Sequence, residues 1–148
     1  MRLEELRDKR IRWDLTPENA FAQGFAISRP EDLEQIKRYY QELDGSYFFY
    51  INVWNCKASL AVMEMHADGT GKGYPVEQDI ISEEELEEAV WDAGGAINMS
   101  GHYPLTPNLI RKLKEFLVGF QSCYYRNEVD MTVARKKKDR DGIRLREN

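Results

Sequence analysis

Eight consecutive residues, Tyr47-Phe48-Phe49-Tyr50-Ile51-Asn52-Val53-Trp54, are aromatic or β-branched apart from Asn52. That is the composition of a β-strand. Asn55-Cys56-Lys57 reads as a turn, and Ala58 to Met65 as a second strand. Along this second run Leu60, Val62, Glu64 and His66 share a face that turns polar towards its end. Ala61, Met63 and Met65 share the other, which reads as core. Ala67-Asp68-Gly69-Thr70-Gly71 reads as a glycine-rich hairpin turn, and Lys72 to Val76 as a third strand. Three strands joined by short turns make an antiparallel meander.

Helix-start signals flank this meander. Residues 2–10 can make one or two turns, with Leu3 and Leu6 as their apolar contacts. In Thr16-Pro17-Glu18 the threonine suits the N-cap and the proline the first helical position. The glutamate suits the positive end of the helix dipole. This helix is expected to run through Ala20 and Phe21 towards Phe25, with Gly24 a weak spot. Ser28-Arg29-Pro30-Glu31 has the spacing of a capping box. Leu33, Ile36, Tyr40 and Leu43 then recur at helical spacing, which predicts an amphipathic helix over 30–43. Ser82-Glu83-Glu84-Glu85 is a second capping box, and its helix runs to Trp91 before Gly94-Gly95. Ala96 to Leu105 reads as a loop, with an extended piece at Ala96–Met99. Thr106-Pro107 opens a last helix through Leu109, Ile110, Leu113, Phe116 and Leu117. The expected architecture is α+β: a three-stranded antiparallel meander packed against several helices, mostly on one face. The domain is expected to span residues 1–131, with its core at about 11–118. Residues 132–148 are expected to form a basic, flexible tail.

A chain of 148 residues suits one domain. Its apolar runs fall short of the ~20 residues of a membrane-spanning helix. The charged opening Met1-Arg-Leu-Glu-Glu-Leu-Arg-Asp-Lys-Arg lacks the apolar segment of a secretory signal, so two reduced thiols, Cys56 and Cys123, and a cytoplasmic location are expected. The tail carries seven basic and three acidic residues, a net +4. The formal −5 of the whole chain therefore leaves −9 on the body. An acidic body repels polyanions and a basic tail attracts them.

From Trp13-Asp14-Leu15-Thr16-Pro17-Glu18-Asn19-Ala20 onward the chain resembles a family of small bacterial proteins that open on W-D-x-T-P-E-x-A and have no known activity. The likeness continues in order through the aromatic strand Tyr47–Trp54, the acidic helix Glu83–Asp92 and Gly94-Gly95. Gly101-His102-Tyr103-Pro104 and the helix Pro107–Leu117 complete it, so it covers roughly residues 12–118. The segment after Ala20 departs from the family, which is richer in tryptophan there. The resemblance implies a bacterial protein and carries no activity, cofactor or partner.

The candidate chemistry is sparse. Asp68-Gly69-Thr70-Gly71-Lys72-Gly73 lacks the glycine spacing, the Ser/Thr and the following helix of a phosphate-binding loop. Cys56, His66, His102 and Cys123 are scattered singly, whereas zinc ligands come in close pairs, so no metal and no cofactor is expected. Buried thiols and surface or loop histidines account for these four. Neither cysteine sits where a nucleophile is activated. Trp13, Trp54, Trp91, Tyr103 and Tyr47–Tyr50 read as core aromatics. The carboxylates of Glu83-Glu84-Glu85, Glu87 and Glu88 favour the helix start and a solvated face, or offer a surface to a basic partner. The loop Asn98–Pro104 sets polar groups beside aromatic ones, which makes Asn98, His102 and Tyr103 candidate ligand-binding residues. Arg135, Lys136, Lys137 and Lys138 are candidate polyanion contacts, without the aromatics that read bases. The leading expectation is a non-enzymatic binding or interaction module. A small enzyme or ligand-binding protein using the 98–104 loop is the alternative, and weak nucleic-acid contact through the tail a third.

Overall fold

The computed structural model describes residues 1–21 and 30–118. In chain order it holds a short 3-10 turn (Leu3–Leu6), β1 (Arg10–Ile11), α1 (Pro17–Phe21), α2 (Pro30–Leu43), β2 (Ser46–Trp54) and β3 (Lys57–Met65). Next come β4 (Gly71–Pro75), α3 (Glu83–Asp92), β5 (Gly101–Tyr103) and α4 (Pro107–Leu117). The fold is α+β, as the sequence predicts. Gly24, Phe25 and the Ser28 end of the capping box lie outside the described residues, as do Cys123 and the whole tail.

The two longest strands form one hairpin. Trp54 pairs with Lys57 and Tyr47 with Glu64, so the ladder runs unbroken along both strands. Asn55 and Cys56 close it with φ of 59° and 60°. Two left-handed residues give the turn whose twist matches that of paired strands. β4 continues the meander antiparallel on β3, from Met65↔Gly71 to Ala61↔Pro75.

Two further strands complete a five-stranded sheet and were not expected. Both pair with the outer edge of β2. β1 lies parallel at its start, with Ile11 against Tyr47, and β5 antiparallel at its end, with Gly101 against Val53. The sheet is therefore mixed rather than purely antiparallel. The extended piece expected at 96–99 lies instead at 101–103, where the backbone finds Val53, Asn52 and Ile51 as ladder partners.

Helices cover both faces, not mainly one. Tyr47, Phe49, Ile51 and Val53 of β2 join Ala58, Leu60 and Val62 of β3 under Leu86, Ala89 and Val90 of α3. Leu109, Leu113 and Leu117 of α4 close the same layer, with Leu3 and Leu6 of the N-terminal turn. The alternate residues Phe48, Tyr50, Ala61, Met63 and Met65 pack with Leu15, Ala20, Tyr40 and Leu43. A strand buried on both faces needs no polar alternation, which is why Tyr47–Val53 reads as an apolar run broken only by Asn52. Each of the buried valine, leucine, isoleucine, phenylalanine and methionine side chains stabilises the fold by roughly 1.5–3 kcal/mol relative to exposure.

The Trp13–Ala20 segment has a structural part. Arg12 grips Asp14 through two bonds of 2.9 and 2.7 Å. Thr16 and Asn19 cap α1 reciprocally, with Asn19 N–H to Thr16 Oγ1 at 3.1 Å and Thr16 N–H to Asn19 Oδ1 at 2.8 Å. Asn19 Nδ2 also donates to Asp14 O. The Trp13 ring stacks on Phe49 at 5.6 Å, and Lys114 Nζ lies 5.3 Å from its centre. Trp54 and Trp91, by contrast, are 70% and 67% exposed, so only one of the three tryptophans takes the packing role expected of all three.

Gly73 of β4 makes room for Tyr50, since a Cβ there would lie 2.4 Å from the Tyr50 hydroxyl. Gly73→Ala should cost about 1–3 kcal/mol in urea denaturation. Adding Tyr50→Phe should recover most of that loss, a coupling that a double-mutant cycle reads directly.

Candidate binding groove

The structure does not gather the residues singled out from the loop. Asn98 is exposed. His102 pairs with Asn52 in β5, is exposed, and sets its ring 4.8 Å from that of Tyr50 on the α2 side of the sheet. Tyr103 is its strand neighbour and faces the other side, against the α3 layer. Its ring fills the space beside Gly95, where a Cβ would approach it to 2.3 Å. Its hydroxyl donates to Met99 O at 2.8 Å, tying the loop to the sheet. Tyr103 thus acts as a packing and loop-fastening residue.

The four scattered Cys and His positions also stay apart. Cys56 is exposed in the β2–β3 turn, not buried, because the left-handed turn turns it outward. His66 lies beyond the far end of β3, and His102 in β5. Among the described residues no three His, Cys, Asp or Glu side chains converge as metal ligands would. The Asp68–Gly73 segment spans the β3–β4 hairpin turn and the first three residues of β4, the turn closed by Gly69 at φ 89° and by Asp68 Oδ1 accepting from Thr70 N–H at 3.0 Å. Arg135, Lys136, Lys137 and Lys138 lie outside the described residues.

The largest concavity among the described cavities is elsewhere. A groove of 690 Å³ runs between the first half of β3 and the start of α3. Its origin is a mismatch of strand length. β3 has nine residues and β4 only five. β4 pairs with Ala61–Met65 and leaves Lys57–Leu60 without a strand on that side. The chain continues past Pro75 for one more bond, Val76 N–H to Leu60 O at 3.0 Å, and then leaves β3. The N-terminal residues draw it away: Glu77 N–H donates to Met1 O at 3.1 Å, and Gln78 Oε1 accepts from Leu3 N–H at 2.9 Å.

Pairing parity fixes which backbone groups face the groove. The Trp54↔Lys57 pair closes a two-residue turn, so Lys57 and Ser59 exchange bonds with β2 and the residues between them point away from it. The Val76 bond to Leu60 O agrees with that alternation. Ala58 N–H, Ala58 C=O and Leu60 N–H therefore point at the groove, and none has a partner among the described residues. Ala58 is only 2% exposed and Leu60 7%. The two side chains are thus packed, while the backbone edge beside them is left as an unpaired strand edge facing the groove.

The walls are mixed. Ala58, Leu60, Val76, Ile80, Ile81 and Leu86 form the apolar part, and Asp79, Glu83 and Glu85 bring carboxylates. Ser82 Oγ caps α3 by accepting from Glu85 N–H at 3.2 Å. Glu85 in turn accepts from Lys112 Nζ at 2.5 Å, and that ammonium holds its carboxyl below the ordinary glutamate value. Asp79 and Glu83 have no ion-pair partner among the described residues. Lys57, at the hairpin end, is the one cation in the lining. A smaller cavity of 340 Å³ on the other flank of α3 shares Glu85 and adds Glu88 and Asp92.

A second polar cluster closes the opposite end of the same sheet face, where Glu64 interrupts the apolar series. Its carboxylate accepts from Tyr47 Oη at 2.6 Å, contacts His66 Nε2 at 3.1 Å and lies 3.5 Å from Tyr74 Oη. The Tyr47 hydrogen bond, followed by His66, lowers the Glu64 pKa. Burial and the adjacent carboxylate push the Tyr47 phenol upward. The cluster opens into no described cavity and acts as a polar seal over Tyr47.

Compared with protein-family models, curated proteins and solved structures, the chain matches none of them.

Carboxylates with depressed pKa values set the acid response. For Glu64 the stabilising contribution is present above its ordinary value of 4.5 and is lost as pH falls through its lower folded value. Asp14, held by Arg12, adds to the same loss. The melting temperature should fall on acidification below about pH 4.5, and Glu64→Gln should flatten that fall in a pH series of thermal melts. An unchanged slope in the variant would show that Glu64 is not among the groups responsible.

Proposed function

We propose that this protein is a non-enzymatic binding module whose recognition surface is the groove between the first half of β3 and the start of α3. The observation that carries the reading is the set of three backbone groups without a partner among the described residues, Ala58 N–H, Ala58 C=O and Leu60 N–H, which face a 690 Å³ space with apolar and carboxylate walls. Recognition sites commonly combine apolar surface with a few convergent polar groups. Sheet edges that meet open space are natural places for another chain to add. The exposed Asn98 and His102, and the inward Tyr103, do not converge on one space, so the loop offers less support for a ligand site. A bacterial cytoplasmic setting is part of the proposal. It is supported by the exposed free thiol of Cys56 and by the W-D-x-T-P-E-x-A resemblance.

Selection from a displayed library of random ten-residue peptides tests the reading. Peptides should be enriched, bind in the micromolar range, and shift the amide resonances of Lys57–Leu60 and Ile80–Leu86. Ile80→Lys, which places an ammonium in the groove, should abolish that binding while far-UV circular dichroism stays unchanged. Enriched peptides that instead shift resonances on another face, indifferent to Ile80→Lys, would refute it.

A further inference from the structure

We infer that the groove takes an extended, lysine- or arginine-bearing peptide of a partner protein, added as a short strand to the free edge of β3. The inference rests on the binding-module reading and names its mode and its partner's chemistry.

The mode follows from the backbone. Ala58 offers a donor and an acceptor, and Leu60 a further donor, all on the stretch of the β4-side edge of β3 that β4 does not reach. Residues two apart on one strand edge present such groups about 6.6 Å apart, twice the rise per residue. An extended peptide carries its own donors and acceptors at the same repeat, so it can satisfy all three. A compact small molecule matches that repeat poorly. The apolar wall then serves alternate side chains: Ala58, Leu60, Ile81 and Leu86 lie on the α3 side of the sheet. A peptide strand in register presents every second residue to that wall.

The charge follows from the rim. Asp79 and Glu83 are unpaired among the described residues, and Glu85 is ionised beside Lys112. Along α3, Glu84, Glu87 and Glu88 extend the same sign away from the groove. Lys57 offsets one of these charges at the hairpin end. The net field favours a cationic partner and disfavours nucleic acid, whose phosphates would meet the same carboxylates. A second copy of this chain is disfavoured for a related reason. Edge-to-edge pairing about a two-fold axis would bring Asp79 and Glu83 towards their own copies.

Four synthetic ten-residue peptides decide the matter. The first alternates valine with lysine, and the second replaces each lysine with glutamate. The third and fourth are the lysine peptide N-methylated on its odd or its even residues. Titrations followed on the Ala58 and Leu60 amides are run at low and high salt. The lysine peptide should bind, and its affinity should fall roughly threefold or more between 50 and 500 mM salt. The glutamate peptide should bind at least tenfold more weakly. One N-methylated peptide should lose roughly tenfold or more, and the other should bind nearly as the parent does, because only alternate amides face the edge. Equal binding of both N-methylated peptides to the groove would overturn strand addition. Equal binding of the lysine and glutamate peptides would overturn the charge assignment. Both outcomes leave the groove as a binding surface. If none of the four moves any groove amide, and library selection also yields no groove binder, the binding-module reading itself is sunk.

Discussion

The β2–β3 ladder is the interaction on which the rest of the structure depends. Its register is set by two left-handed residues, Asn55 and Cys56, and runs without a bulge from Trp54↔Lys57 to Tyr47↔Glu64. A slip of one residue would send Phe49, Ile51 and Val53 to the α2 side and Phe48 and Tyr50 to the α3 side. Both faces are apolar, so hydrophobicity alone specifies this register weakly. The turn and the polar pair at the far end, Tyr47 with Glu64, supply what side-chain patterning does not.

Every other strand is attached to that hairpin and shorter than it. β1 and β5 share the outer edge of β2 end to end, while β4 covers only the second half of β3. The groove is the part of the hairpin that no strand reaches. Its existence depends on a competition for residues 75–78. Met1 and Leu3 engage Glu77 and Gln78 where a longer β4 would have paired with Ala58. The same segment then turns into Ser82 and the α3 N-terminus. Capping chemistry at that start brings carboxylates to the groove's rim.

Much of this was legible in the sequence, for physical reasons. Capping residues are local signals, so Thr16, Ser82 and Thr106 mark their helices to within a residue. The aromatic run and the Asp68-Gly69 turn mark the meander equally well. β1 and β5 were not legible, because two or three residues gain strand character only from the edge of β2 beside them. Covering helices on both faces were also missed. The helix periodicities give a face but not the side of the sheet it meets. The candidate loop residues failed to gather because strand alternation separates His102 from Tyr103. The groove had one faint signature, a nine-residue strand followed by a five-residue one ending in proline. Length mismatch shows which strand is short, but not where the released chain goes. Contact between residues 1–3 and 75–78 decides that, and it is non-local.

Amide hydrogen exchange along β3 tests the central claim, that half of this strand has an open edge. Ser59 and Ala61 donate into β2, and Val62 and Glu64 into β4, by the alternation that the two ladders impose. Those four amides should exchange slowly, at rates near that of global unfolding. The amides of Ala58 and Leu60 should exchange faster than all four, despite the near-complete burial of both residues. Equal protection across residues 58–64 would mean that the edge already has a partner, and would contradict the account.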